Sequence, residues 1–243
     1  MDNYARIRFV PLFYIDDFNL PITMKHTLEI SSIRLLFGER LILSDIFLTI
    51  HTGEIVGLLG RNGTGKSCLM RVIMGILKAE KSICVDNQYL HAAYKQPKLI
   101  RYLPQHRFIP KSLTMKRVFS DFDIDFSEFT HQFAEFSSYE KKRVNQLSGG
   151  MFRLLELYLI IKSDTQFVLL DEPFTHISPP QIKKIKALID KERTRKGFFI
   201  TDHMYRHILD VCDKTHILTD GKMRVITNRD DSITQKDILY GSF

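Results

Sequence analysis

Cysteine is scarce: only Cys68, Cys84 and Cys212 occur, with no Cys-x-x-Cys spacing. An odd, scattered set of this kind argues against a disulfide framework or a zinc site and fits a reducing compartment. The chain also lacks any run of about 18 uncharged apolar residues, the length a helix needs to cross a bilayer. "FVPLFYI" (Phe9 to Ile15) is too short to span, and no small-residue cleavage site marks it as a signal peptide. Neither repeats nor low-complexity segments are found, which sets aside repeat architectures. His51, His91, His106, His131 and His216 show no metal-ligand spacing. The expected location is cytoplasmic.

What is present is ordinary for a globular protein. The 243 residues are 44% hydrophobic and 26% charged, enough for one large α/β domain or a domain with a smaller lobe. A formal net charge of +7 tolerates an acidic partner, a nucleic acid or an anionic membrane, and selects none of them. The basic stretch from Lys183 to Lys196 reads as a solvated helix face, so no nucleic-acid partner is expected.

The first 25 residues mix prolines with aromatics, and Met24 offers a second start, so they read as an extension. Alternation and β-branched content predict strands over Leu28 to Phe37 and Leu41 to Ile50. "IVGLL" reads as a buried strand and Lys66 to Leu77 as a helix. "SICV" and "LIRYL" are further strands, and Lys111 to Asp164 is mostly helical and rich in phenylalanine. "FVLLDE" is another buried strand, Pro179 to Arg195 a helix with proline at its start, and "GFFIT" a strand. A helix from Met204 to Cys212, a hairpin turned by the Asp-Gly pair in "HILTDGKMRVI" and a short last helix complete the chain. Strands alternating with helices predict a largely parallel sheet, with the insertion forming a second lobe.

One stretch carries chemistry outright. "GRNGTGKS", Gly60 to Ser67, fits G-x-x-x-x-G-K-[ST] between a strand and a helix. Glycines let backbone N–H groups turn inward around phosphate oxygens, and the helix aims its positive end at them. Arg61, Asn62, Gly63, Thr64, Gly65 and Cys68 are the expected nucleotide contacts, with Lys66 at the terminal phosphates and the Ser67 hydroxyl on Mg²⁺. A second element agrees with it. "FVLLDE" ends in two carboxylates at the carboxyl end of a strand, where ligands gather in parallel sheets. Asp171 is the expected partner of the same Mg²⁺, and Glu172 the expected base for an attacking water.

Three more elements lie in order around these two: "LPQ" (Leu103 to Gln105), "LSGG" (Leu147 to Gly150) and "TDH" (Thr201 to His203). LSGG alone is a weak match, but five elements in this order are specific. From about Leu28 to Ile226 the chain resembles the ATP-binding cassette (ABC) family. The resemblance implies an α/β fold, a P-loop NTPase with a RecA-like core, an N-terminal antiparallel β subdomain and an inserted helical subdomain at approximately 111–164. Residues 1–26 would then be an extension and 27–243 the nucleotide-binding domain.

The resemblance also implies partners and roles. Two such domains pair head to tail around two ATPs, a homodimer being expected here, with Ser148, Gly149 and Gly150 of one facing the P-loop of the other. Gln105 is then the sensor of metal and water, His203 the switch at the γ-phosphate, and Phe37 the ring that stacks on adenine, a core phenylalanine being the alternative. The partner that crosses the membrane is a separate permease docking near Gln105 and the helical lobe, with this subunit on the cytoplasmic face. The wording around "ITDH" is similar to the ATPases for lipopolysaccharide export and for branched-chain amino acid uptake. Three features depart from the pattern: Met151 follows LSGG where Gln or Glu is usual, Ser178 replaces an Asp, and the segment from Gln105 to LSGG is short. A soluble non-transport cassette ATPase and a module that binds ATP with weak hydrolysis are the alternative readings.

Overall fold

In the computed structural model, which describes residues 25–203 and 205–226, the chain begins with antiparallel strands β1 (Thr27–Phe37) and β2 (Arg40–His51). Leu28 and Ile30 of β1 point inward, and so do Ile33 and Leu35. Strict alternation would have turned the second pair outward. The register shifts between Ile30 and Ile33, with Ser32 at φ 53°, and this extra residue restores the apolar face.

Strand β3 (Ile55–Leu59) is buried at every position, as a short apolar run in a parallel sheet should be. It leads to helix α1 (Lys66–Ile73), four residues shorter than expected. The N–H groups of Ile76 and Leu77 both fold back onto the carbonyl of Arg71, which ends the helix. β4 (Glu80–Val85) and β5 (Gln88–Tyr89) then join the first two strands in an antiparallel sheet of order β2–β1–β4–β5.

After β6 (Ile100–Leu103) comes the expected second lobe, built from short pieces: α2 (Met115–Asp121), α3 (Phe126–Gln132) and 3₁₀ turns at Ala134–Tyr139 and Val144–Gln146. Thr114 and Asp125 cap the two helices. The lobe coheres through rings. Phe119, Phe133 and Phe136 are buried around the buried Phe129, whose centroid lies 4.6 Å from Phe136 and 4.7 Å from Tyr158. Most of the phenylalanine-rich stretch is therefore lobe core, with Phe122 left half-buried at its edge.

Tyr158 belongs to α4 (Gly149–Lys162), which is buried from Phe152 to Ile161 and lies between the lobe and the main sheet. The remaining elements are β7 (Phe167–Asp171), α5 (Pro179–Glu192), β8 (Gly197–Thr201), α6 (Tyr205–Leu209), β9 (Lys214–Thr219) and β10 (Lys222–Ile226). The helices α5 and α6 stop short of their expected ends, and the Asp220–Gly221 turn closes the β9–β10 hairpin as expected. The main sheet has the order β10–β9–β3–β8–β7–β6 and is parallel except for β10. This order places β8 between β3 and β7, so the segments leaving β3 and β7 emerge on the same edge, one strand apart. The expected last helix and the N-terminal extension up to residue 24 lie outside the described residues.

Candidate functional site

The loop after β3 turns into α1 at Gly65, the N-cap, with φ 106°. A Cβ there would stand 3.2 Å from side-chain carbons of both Ile42 and Leu43, so glycine serves both the backbone and the packing. Lys66 follows, only 4% exposed, its Nζ donating to the carbonyls of Gly60 (2.7 Å) and Arg61 (3.0 Å). Burial pushes this ammonium below the ordinary lysine range, while the carboxylates of Glu172, Asp171 and Asp202 pull it back up. The Cys68 thiol, half-buried, is pushed up by burial and stays protonated at neutral pH.

A cavity of about 410 Å³ brings together Phe37, Asn62, Gly63, Gly65, Lys66, Ser67, Cys68, Gln105 and Glu172, with Arg40 and Ile42 completing its wall. Phe37 is 51% exposed at this cavity, which removes the reading of it as a core residue. Arg61 and Thr64 face an adjoining cavity with Arg40 and Asp220, and the Thr64 hydroxyl donates to the Arg61 carbonyl at 2.9 Å.

Asp171 ends β7 fully buried, its two oxygens accepting from Thr201 Oγ1 (2.8 Å) and Tyr102 Oη (3.1 Å). Glu172, the next residue, has φ 47° and donates its N–H to the Thr201 carbonyl at 3.0 Å. His203 Nδ1 lies 3.5 Å from a Glu172 oxygen and 3.5 Å from an Asp202 oxygen. Among the described residues no group of three or more His, Cys, Asp or Glu could hold a metal ion. Ser67, Asp171 and Gln105 border one cavity of about 620 Å³, and an all-oxygen donor set of this kind suits a hard cation that completes its shell with phosphate and water, as Mg²⁺ does.

That larger cavity opens as a groove between the main sheet and the lobe. Tyr94, Pro97, Arg101, His106, Phe108 and Phe122 line it, with the Arg101 guanidinium 5.2 Å from the Phe122 ring centre.

Ser148, Gly149 and Gly150 stand apart from the Lys66 cavity, at the start of α4. Ser148 and Gly149 are exposed, and Ser148 Oγ accepts from the Met151 N–H at 3.3 Å. Met151 contributes only its backbone to this cap, so the departure there leaves the cap intact. Gly150 has a steric reason: a Cβ would come 2.6 Å from the His176 carbonyl. Ser178 caps α5, with its N–H (3.4 Å) and hydroxyl (2.9 Å) both donating to Gln181 Oε1.

Three residues of this neighbourhood, Tyr102, Arg153 and Glu156, escaped the sequence reading, and Thr201 was noted only as the first letter of "TDH". Tyr102 and Thr201 orient Asp171. Arg153 and Glu156, on α4, reach the segments around Gln105 and Glu172. Two charges three residues apart in an otherwise apolar helix were the available signal.

Comparison with known proteins agrees with this geometry. A family model described as ABC transporter matches residues 43–175. The lipopolysaccharide export system ATP-binding protein LptB of Haemophilus influenzae is 33% identical over 204 residues, covering 77% of this chain and 84% of the relative. LptB of Escherichia coli K12 is 31% identical over 215 residues, covering 81% and 88%. A solved ATP-binding subunit of an ABC transporter superposes with a TM-score of 0.70 at 19% identity, over 82% of this chain and 90% of that one. The fold is that of a P-loop NTPase with an antiparallel sheet and a helical lobe.

Proposed function

The chain belongs to the ABC transporter family of ATPases, and from that premise we propose that it is the ATP-hydrolysing subunit that powers a separate membrane-spanning permease. One observation carries the reading: Lys66, Ser67, Gln105 and Glu172 share one cavity, while Ser148 and Gly149 lie exposed outside it. In this reading the first set is the phosphate machinery and the second its family counterpart, on a different surface.

In this reading the Phe37 ring stacks on adenine, and the backbone from Arg61 to Cys68 surrounds the phosphates. Lys66 exchanges its two carbonyl partners for β- and γ-phosphate oxygens. Ser67, Asp171 and Gln105 would hold Mg²⁺, which neutralises charge on those phosphates. Glu172 takes the proton of the attacking water, and His203, 3.5 Å from it, faces the γ-phosphate. A second copy supplies Ser148, Gly149 and Gly150 to close the far side, making nucleotide the glue of a homodimer.

The groove beside Gln105 is the proposed seat of the permease, since it joins exposed apolar side chains (Ile76 and Tyr94, each 52% exposed) to a residue of the nucleotide cavity. No helix among the described residues is long and apolar enough to cross a membrane; seated on a permease, this chain would be a peripheral subunit on the cytoplasmic face. The lipopolysaccharide-export relatives favour export over uptake.

Two measurements test this. Glu172→Gln should lower ATP turnover by at least about a hundredfold while ATP-dependent dimerisation persists; undiminished turnover would remove Glu172 as the base. Purification from membranes should recover an integral-membrane protein with this chain. Recovery of soluble partners alone would remove the transport role.

A further inference from the structure

Helix α4 is apolar from Phe152 to Ile161 apart from Arg153, Glu156 and the Tyr158 hydroxyl. Arg153 is 8% exposed and Glu156 1%, one turn apart on the same face, with Arg153 Nη1 4.0 Å from Glu156 Oε2. Their hydrogen bonds leave the helix. Arg153 Nη1 donates to the Pro104 carbonyl at 2.6 Å, and Nη2 donates to the carbonyls of Asp171 (2.8 Å) and Glu172 (3.1 Å). Glu156 Oε1 accepts from the N–H groups of Phe108 (2.7 Å) and Ile109 (3.3 Å).

Gln105 is thus fastened on both sides to one helix: the residue before it by Arg153, the segment after it by Glu156. The same guanidinium grips the backbone of both carboxylate residues. That second grip falls on a strained position, because Glu172 is a non-glycine residue in the left-handed region, φ 47°. Such a conformation persists only when its surroundings hold it. Burying a charged pair is seldom the most stable way to fill a core, and the rigid planar fork of arginine fixes the direction of each donor toward its carbonyl, which a flexible lysine ammonium does not.

We infer that Arg153, backed by Glu156, is the positioning residue of this ATPase: it holds Glu172 in its left-handed backbone and keeps the Gln105 segment in register with α4. The helix that offers Ser148, Gly149 and Gly150 at its tip, the Gln105 segment beside the groove and the base Glu172 then move as one body. The inference rests on the reading of Glu172 as the base.

The experiment compares the full-length chain with Arg153→Lys, Glu156→Gln and the apolar pair Arg153→Met with Glu156→Leu, alongside Glu172→Gln. Turnover is measured across ATP concentrations, with equilibrium ATP binding and thermal unfolding on the same preparations. Arg153→Lys should lower kcat roughly tenfold to a hundredfold while KM and ATP affinity stay within about twofold. The apolar pair, which leaves the backbone groups at Pro104, Phe108, Ile109, Asp171 and Glu172 without these partners, should retain the fold and ATP affinity but not kcat. Wild-type kcat in Arg153→Lys overturns the inference, and so does an apolar pair that retains turnover together with the fold. If Arg153→Lys does not fold, the apolar pair alone decides. Should Glu172→Gln retain turnover, the reading of the base fails first; should it lose turnover while Arg153→Lys keeps it, only the positioning role fails.

Discussion

Helices α1 and α4 both begin with glycine at or next to the cap, yet their surroundings are opposite. The start of α1 is embedded: Lys66 is buried, its ammonium satisfied by the loop it follows, with Asp171 and Glu172 close enough to pull on its charge. The start of α4 is open, with Ser148 and Gly149 exposed and no lysine in the first turn. At its other end α4 is shut, where the buried Lys196 donates to the carbonyls of Ile161 and Ser163. Both tips offer N–H groups and positive helix ends, but only the α1 tip holds a buried lysine facing carboxylates. In the proposed reading these are two halves of one site, which a second chain would complete.

The comparison breaks most sharply at Lys66. Lys66→Ala should cost about 2–3 kcal/mol of ATP binding, roughly a hundredfold, because a charge-assisted contact to phosphate is lost. Equilibrium ATP binding checks this, and unchanged affinity would mean that the embedded tip is no phosphate site. The open tip should respond differently. Gly149→Asp adds a carboxylate where, among the described residues, a Cβ would meet Arg107 at 3.7 Å, and an acidic residue in the first turn favours the helix itself. ATP-dependent dimerisation and turnover should nevertheless fall about thirtyfold, from about 2 kcal/mol of like-charge repulsion, with ATP binding to the single chain unchanged. A variant that dimerises normally with ATP would deny the open tip its role.

The same contrast shows what could be read from sequence. The embedded tip is local: strand, glycine loop and lysine lie within a dozen residues, and "IVGLL" and "FVLLD" announce buried strands by composition. The carboxylates at the end of β7 are legible for the same reason. Helix ends were less so: α1 stops in a local turn where Gly75, at φ 76°, lets the N–H groups of Ile76 and Leu77 reach the Arg71 carbonyl, a glycine signal that the expected helix ran through. The lobe is rich in phenylalanine in sequence, but its division into short turns follows from rings converging on Phe129 and Tyr158. Arg153 and Glu156 were hidden most completely. Their partners at Pro104 and Phe108 lie 49 and 48 residues away, and no local pattern encodes them.

Phe37 sharpens the embedded half at smaller cost. Truncating a half-exposed ring at the cavity edge should weaken ATP about fivefold to tenfold, the low end of base–aromatic stacking. The loss should be smaller for inorganic triphosphate, which offers no base. Equal losses for both ligands would return Phe37 to a role in packing alone.

The smallest effect concerns the shut end of α4. Burial pushes the Lys196 ammonium down to about 8, against the pull of Glu192, whose carboxylate lies 3.2 Å away. An unfolded lysine titrates near 10.4, so above pH 8 the folded chain gives up this proton while the unfolded chain keeps it. The unfolded state then binds more protons, and stability rises with pH from this group. Below pH 8 both states hold the proton and the contribution is flat. Chemical unfolding of wild type and Lys196→Met between pH 7 and 9.5 isolates the effect, because other titrating groups cancel in the difference. Wild type should gain on the order of 1 kcal/mol relative to the variant across that range. A constant difference would mean that the lysine holds α4 with its charge unperturbed, and that the shut end is fastened as firmly in alkaline solution as in neutral.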